Sequence, residues 1–197
     1  MNKKYELTDE TIIVDKCILY RIRALKSFGN AKAENIGGFM SFGAVKAGDL
    51  GGFVSSEYSL SQDNDCWVSG NSQVFGNARV SENARVSGNA HVYGSALMYG
   101  NSRIYEDAQV FGNALIGGNV NVFGKSQIYE NSQVYGETWM SGQIQMSGRA
   151  LVFARAWVSG NINITSGVWN KTIKINKKCY LISTTLKKIL LDWVINE

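Results

Sequence analysis

A six-residue alternation of small, branched and polar positions dominates the chain between residues 66 and 167. Seventeen consecutive blocks of six fit this stretch without an insertion. The third place of every block, from Val68 to Ile164, is Val, Ile or Met, and the first place is always a small or β-branched residue. Twelve blocks have Gly at the fifth place and nine have Asn at the sixth. The pattern predicts short strands that repeat at a fixed interval and are separated by turns.

The order of places within a block indicates how each strand is oriented. Successive side chains of an extended segment point to opposite faces, so the first and third places lie inside and the second and fourth outside. Gly followed by Asn favours a corner, because these residues tolerate positive φ. If three sides close one coil, equivalent residues stack every eighteen positions and the seventeen blocks make nearly six turns.

The blocks resemble the hexapeptide repeat of left-handed parallel β-helices, in which an aliphatic residue is followed four places later by a small one. Val74 then Ala78, and Val80 then Ala84, show this spacing. The resemblance implies an all-β fold: a three-sided, left-handed, single-stranded parallel β-helix of about six coils. Both the number of sides and the hand come from the resemblance. It implies little about function, because one scaffold carries many activities.

A second resemblance lies upstream of the repeat. The segments RIRAL (Arg21 to Leu25) and VKAGDLGGFVSSE (Val45 to Glu57) are similar to the N-terminal signature of hexapeptide-repeat proteins from phages, prophages and bacteria. This resemblance implies a phage origin. The chain carries the middle of the signature twice, because residues 27–40 and 41–54 match at eight of fourteen positions.

The open ends of a β-helix need caps, because their strand edges are unpaired. Residues 1–65 form the predicted N-terminal β cap, in which 11–25 reads as two strands around a turn near Asp15 and Lys16. Residues 168–197 form the predicted C-terminal cap. It consists of a strand or hairpin at 171–182 and a short amphipathic helix, whose apolar face contains Leu186, Ile189, Leu190, Trp193 and Val194.

Composition excludes several kinds of site. A single histidine cannot supply a metal centre that needs two or three imidazoles. The three cysteines, Cys17, Cys66 and Cys179, are far apart and have no C-x-x-C pairing, which favours reduced, packed thiols. We therefore expect neither a metal nor a cofactor.

The distribution of charge and hydrophobicity bears on partners and location. The repeat carries six Lys or Arg against five Asp or Glu, whereas the last thirty residues carry six against two. A nearly neutral body makes nucleic acid a less favoured partner. The opening segment is polar and no apolar run approaches the roughly 18 residues that span a bilayer. We therefore expect a cytoplasmic protein, in the host cytoplasm if it is phage-encoded, with no membrane partner.

One outward side of the predicted prism is unusually aromatic. An eighteen-residue period brings together an aromatic strip, and beside it a column that includes the amides Gln109 and Gln127. We expect the strip to face solvent and to bind a protein partner or a second copy, as a dimer or trimer. The alternative is that stacked rings and amide ladders only stabilise the sheet. The aromatic strip consists of Phe75, Tyr93, Phe111 and Tyr129.

Two further sets of outward residues suggest other functions. Arg85 and Arg103 lie near Tyr105 and could hold a phosphate or a base. Two arginines on a neutral body more often form a solvated face, so a nucleotide-binding or nucleic-acid-binding module is an alternative.

His91 is the obvious candidate for a general base. Acyltransferases of the hexapeptide type resemble this scaffold and use a histidine between subunits of a trimer, usually beneath a loop that leaves the repeat. Here the repeat is uninterrupted, and His91 takes an ordinary outward place without an adjacent carboxylate in its column. An acyltransferase-like enzyme is thus an alternative, and we expect no catalysis. The favoured interpretation is a phage-encoded binding or assembly protein, with inhibition of a host antiviral defence system as its credible role.

Overall fold

A computed structural model of the protein describes residues 3–29 and 43–169 and the backbone of 179–181. These residues form twenty strands and one 3-10 turn, Glu57–Ser59. In chain order the strands are β1 (Tyr5–Val14), β2 (Cys17–Ala24), β3 (Leu50–Val54), β4 (Trp67–Val68), β5 (Gln73–Val74), β6 (Arg79–Val80), β7 (Arg85–Val86), β8 (His91–Val92), β9 (Leu97–Met98), β10 (Arg103–Ile104), β11 (Gln109–Val110), β12 (Leu115–Ile116), β13 (Asn121–Val122), β14 (Gln127–Ile128), β15 (Gln133–Val134), β16 (Trp139–Met146), β17 (Leu151–Val152), β18 (Trp157–Ile164), β19 (Val168–Trp169) and β20 (Cys179–Leu181).

The repeat winds into a coil with three flat sides. From β4 to β16, strands of the repeat pair in parallel with the strand eighteen residues further on, so that Gln73 lies opposite His91 and His91 opposite Gln109. The first side contains β4, β7, β10, β13 and the first halves of β16 and β18. The second side contains β5, β8, β11, β14 and the second halves of β16 and β18. The six strands of the third side are β6, β9, β12, β15, β17 and β19. The structure confirms the predicted parallel β-helix of about six turns.

Inward and outward places follow the predicted alternation. All first-place and third-place residues from Cys66 to Ile164 are buried, and none is more than 3% exposed. Between coils, backbone amides at the second and sixth places donate to carbonyls one coil on, as Arg79 does to Ala96 at 2.9 Å and Asn83 to Gly100 at 3.0 Å. The core is therefore a single continuous apolar column inside a hydrogen-bonded wall.

Three corners contain glutamate where most have glycine. Glu82, Glu106 and Glu130 adopt φ of 56°, 59° and 57°, the left-handed region that disfavours a side chain. Each carboxylate accepts a hydrogen bond from the backbone amide of the glycine one coil on, at 2.6–2.8 Å; for Glu106 this is Gly124, at 2.8 Å. The three glutamates follow β6, β10 and β14, which belong to three different sides, so each acts alone on its own corner.

The N-terminal cap is an antiparallel hairpin joined to the second side. β1 and β2 pair around a turn at Asp15 and Lys16, whose φ values are 48° and 66°, so the predicted turn is confirmed. β2 pairs with β3, which pairs in parallel with β5. The hairpin thus extends the second side, while Tyr5 and Ile22 at its base pack into the prism core.

A buried lysine closes the first coil. The Nζ of Lys4 donates to the carbonyl oxygens of Asp63, Asn64 and Cys66 at 3.0–3.2 Å and lies 3.2 Å from the Sγ of Cys66. Burial lowers the pKa of Lys4 and raises the pKa of the Cys66 thiol. Three carbonyls give the buried ammonium the hydrogen bonds that it needs.

The last turn departs from the six-residue block. Leu151 pairs with Val168, seventeen residues on, because the corner after Ile164 is one residue short. Gly167 consequently takes an inward first place and Trp169 an inward third place, where its ring packs on the core. β20 pairs in parallel with β18. The predicted helix at 183–197, most of the predicted strand at 171–182 and residues 30–42 of the duplicated segment lie outside the described residues.

Candidate binding surface

The aromatic strip on the second side is a regular stack of rings. Neighbouring ring centroids are 5.0, 4.8 and 4.9 Å apart from Phe75 to Tyr129, and the planes differ by only 3–5°. These distances match the strand spacing of the sheet, because each ring leaves the same place of successive coils. The strip is therefore a flat apolar surface held rigidly by the backbone beneath it.

The first ring of the strip is covered by the protein's own hairpin, which corrects the expectation of four solvent-facing rings. Phe75 is only 7% exposed and packs in a hydrophobic cluster with Leu19 of β2 and Phe53 of β3. Ile12 and Val14 of β1 pack against the same cluster, and so does Tyr93. The local pattern around these residues gave no signal for the contact, because it joins segments more than fifty positions apart.

The rest of the strip is partly exposed. Tyr93, Phe111 and Tyr129 are each of intermediate exposure. Burial raises the pKa of Tyr93, and the nearby carboxylate of Asp15 at the hairpin turn adds to this rise. The described part of the cap therefore reaches along the strip as far as Tyr93.

The amide column beside the strip is continuous with it. The Nε2 of Gln127 lies 3.5 Å from the Oε1 of Gln109, one coil away. Both residues are half-buried, and along the chain each lies between the preceding corner and the ring of its own coil. Together the rings and amides give an apolar centre with polar groups at its margin, the composition typical of protein interfaces.

The arginine pair on the first side is arranged differently from the expected solvated face. Arg85 is 8% exposed and lies 5.9 Å from the centroid of Phe28, and burial lowers its pKa. Tyr105 is 2% exposed and stacks on Phe123 at 4.8 Å. Arg103 is half-buried. The guanidinium of Arg85 is thus covered by the protein itself, because Phe28 leaves the cap and folds back over the first coil.

His91 sits in the amide column, between Gln73 and Gln109. Burial lowers its pKa, and the charge of Asp107 opposes this fall. The Asp107 carboxylate accepts a hydrogen bond from the side-chain amide of Asn89 at 3.1 Å. Among the residues that the structure describes, none makes a side-chain hydrogen bond with the imidazole of His91. Its arrangement is that of one more polar rung in the column.

The third side presents a second apolar surface, which the sequence interpretation did not single out. Leu97 is 42% exposed, and Leu115 and Leu151 follow it in the same column. Beside them, the ring of Tyr99 lies over Gly117, where a Cβ would overlap it. The signal was available in the columns, because every second and fourth place from Leu97 to Phe153 on this side is uncharged.

A shallow cavity of about 480 Å³ lies at the N-terminal end of the third side. Tyr58, Arg79, Glu82 and Tyr99 contribute to its wall. The carboxylate of Glu82 already accepts the Gly100 amide, so this group is engaged in holding the corner. Within residues 3–29 and 43–169, no group of three His, Cys, Asp or Glu side chains could hold a metal ion.

Comparison with known proteins agrees with the architecture. The family model described as the YdcK beta solenoid repeat matches residues 72–87 and 84–100. These residues are part of the three-sided prism and include the first half of the aromatic strip. No curated protein matches the chain. In the part of the chain that the structure describes, no helix is long and apolar enough to cross a membrane.

Proposed function

We propose that the protein is a non-enzymatic binding or assembly scaffold that uses the aromatic strip to bind a protein partner or a second copy. The observation that carries this proposal is the parallel stack of Tyr93, Phe111 and Tyr129, partly exposed on a rigid sheet. A flat apolar strip with amides at its margin suits a protein surface better than a small ligand, which requires a concave site.

Two alternatives receive less support. For a nucleotide or nucleic-acid binder, the burial of Arg85 and Tyr105 removes a guanidinium and a ring that would contact the ligand. For an acyltransferase-like enzyme, His91 lacks a side-chain hydrogen bond that would orient its imidazole among the described residues.

His91→Ala is expected to leave partner binding and self-association unchanged. Loss of biological activity with normal folding and assembly would favour the enzyme instead.

The finer part of the proposal concerns the biological setting. We propose that the scaffold is phage-encoded, acts in the host cytoplasm and inhibits a host antiviral defence system. The support is the resemblance of 21–25 and 45–57 to phage and prophage proteins, together with a binding surface that needs no catalytic group. The test is phage infection of defended host cells that express the protein. If the defence systems protect the host cells equally well with and without the protein, the result contradicts this role.

The experiment on the strip replaces Phe111 and Tyr129 together by Ser. Tyr93 is left alone because it also packs on the hairpin. The matched control is Leu97→Ser with Leu115→Ser, an equally apolar pair on the third side. We expect the strip variant to lose self-association or capture of a known partner, measured by native mass and pull-down, while circular dichroism shows a folded protein. A lower melting temperature with unchanged association would show that the strip is only a structural stack.

A further inference from the structure

The N-terminal hairpin has two apolar faces and the described structure uses only one. Its inner face packs Ile12, Val14 and Leu19 toward Phe75. On its outer face the cross-strand pair Ile13 and Ile18 is 76% and 51% exposed. The two neighbouring side chains form a small exposed apolar patch at the tip of the hairpin. The outer face of the hairpin is therefore an apolar surface to which a partner can bind.

The contact within the molecule shows what kind of group the aromatic strip accepts. Branched aliphatic side chains of the hairpin pack in one hydrophobic cluster with Phe75, and Tyr93 packs against the same cluster. The strip continues beyond this contact with Phe111 and Tyr129 at the same ring spacing, 4.8 and 4.9 Å. The uncovered half of the strip thus offers a second hairpin the same surface that the first hairpin already uses.

Charges at the two surfaces are compatible. The tip of the hairpin carries one acid and one base, Asp15 and Lys16, both exposed. The coil of Tyr129 is flanked by the exposed Lys125 at one corner and the exposed Glu130 at the other. One charge of each sign on both surfaces permits opposite charges to meet, and favours the orientation of the tip in which they do.

We propose that Phe111 and Tyr129 of one molecule bind the outer hairpin face, Ile13 and Ile18, of a second copy. This inference rests on the proposed function and names the partner of the same strip. The contact joins two different surfaces, so it is heterologous and builds rings or open chains. The hairpin tip is small beside a standard interface of about 1,600 Å², so the association is weak and depends on concentration.

Two variants, each damaged on one surface, test the contact. The strip variant is Phe111→Ser with Tyr129→Ser. The hairpin variant is Ile13→Thr with Ile18→Thr, which keeps the β-branched shape at exposed positions. Native mass and sedimentation are measured over a concentration series. We expect the unchanged protein to associate and each variant alone to remain a monomer. A one-to-one mixture of the variants should form dimers and nothing larger, because one supplies the hairpin and the other the strip.

The outcomes separate this inference from the proposed function. If the strip variant is a monomer but the hairpin variant associates normally, the strip binds another surface and the inference is wrong while the proposed function stands. A mixture that stays monomeric also overturns it, because the intact hairpin of one variant then fails to bind the intact strip of the other. If the unchanged protein is a monomer at every concentration, the inference fails. The proposed function fails as well only if partner capture is insensitive to the strip variant.

Discussion

The prism and the N-terminal cap are stabilised in opposite ways. In the prism the same contact recurs in every coil, so an inward valine such as Val110 has close equivalents one coil above and below. In the cap each contact occurs once, as in the buried Lys4 with its three carbonyl partners. Repeated contacts tolerate variation on the surface but no charge at the inward places of the core, whereas single contacts depend on one particular residue.

The largest effect is expected from a charge in the prism core. Val110→Asp, or equally Ile116→Asp, buries a carboxylate with no partner, which costs several kcal/mol. The protein should become insoluble or lose its cooperative melting transition, as followed by circular dichroism. Gln133→Asp, at an exposed outward place, is the matched control and should melt normally. A soluble Val110→Asp protein with an unchanged transition would contradict the inward assignment.

In the cap, Lys4→Met is expected to destabilise strongly although the size of the side chain is kept. The substitution leaves the buried carbonyl of Cys66 and the partly buried carbonyls of Asp63 and Asn64 without this donor. A buried unsatisfied group costs about 1–3 kcal/mol, and a partly buried one costs less because water can reach it. Lys3→Met is the control, because Lys3 forms only an exposed ion pair with Glu57 at 2.7 Å. Urea unfolding should separate the two variants clearly. Equal free energies of unfolding for the two variants would show that the hydrogen bonds of Lys4 do not stabilise the protein.

The repeat and the hairpin turn of the cap could be predicted from the sequence, but the contacts between the cap and the prism could not. Every block has the same order of inward and outward places. With seventeen blocks, the assignment of these places depends little on any one residue. The burial of Phe75 and Arg85 depends on Leu19 and Phe28, which arrive from the cap through long-range folding. The six-residue pattern carries no information about these contacts between the cap and the prism. The shortened corner before Trp169 was not predicted either. The residues up to Gly167 still fit six-residue blocks, so the sequence pattern does not show that one residue is missing from the corner.

A moderate effect is expected at the glutamate corners. Glu106→Ala removes the hydrogen bond to the Gly124 amide and keeps the left-handed φ, so it should destabilise by about 1 kcal/mol. Glu106→Gly loses the same bond but relieves the backbone, so its melting temperature should lie above that of the Ala variant. The opposite order would mean that the strain at this corner is negligible.

The smallest effect concerns pH. Burial holds the pKa of His91 below its ordinary value, so the unfolded chain takes up a proton before the folded one as pH falls. Stability should therefore decrease as pH is lowered from about 6.5 toward the depressed pKa of the folded state. His91→Gln, which makes the column all-amide at this point, should flatten the dependence in urea unfolding between pH 7 and about 5.5. A slope unchanged by the substitution would assign the effect to other groups.

The buried Lys4 has a consequence for how the chain chooses its coils. Successive blocks are so alike that a strand displaced by one full turn would find nearly the same neighbours. Folding that begins within the repeat therefore does not by itself select the correct pairing register. Lys4 donates to the carbonyls of Asp63, Asn64 and Cys66, at the junction between the cap and the first block. This contact ties the cap to the start of the repeat and so favours the register in which the block that begins at Cys66 follows the cap.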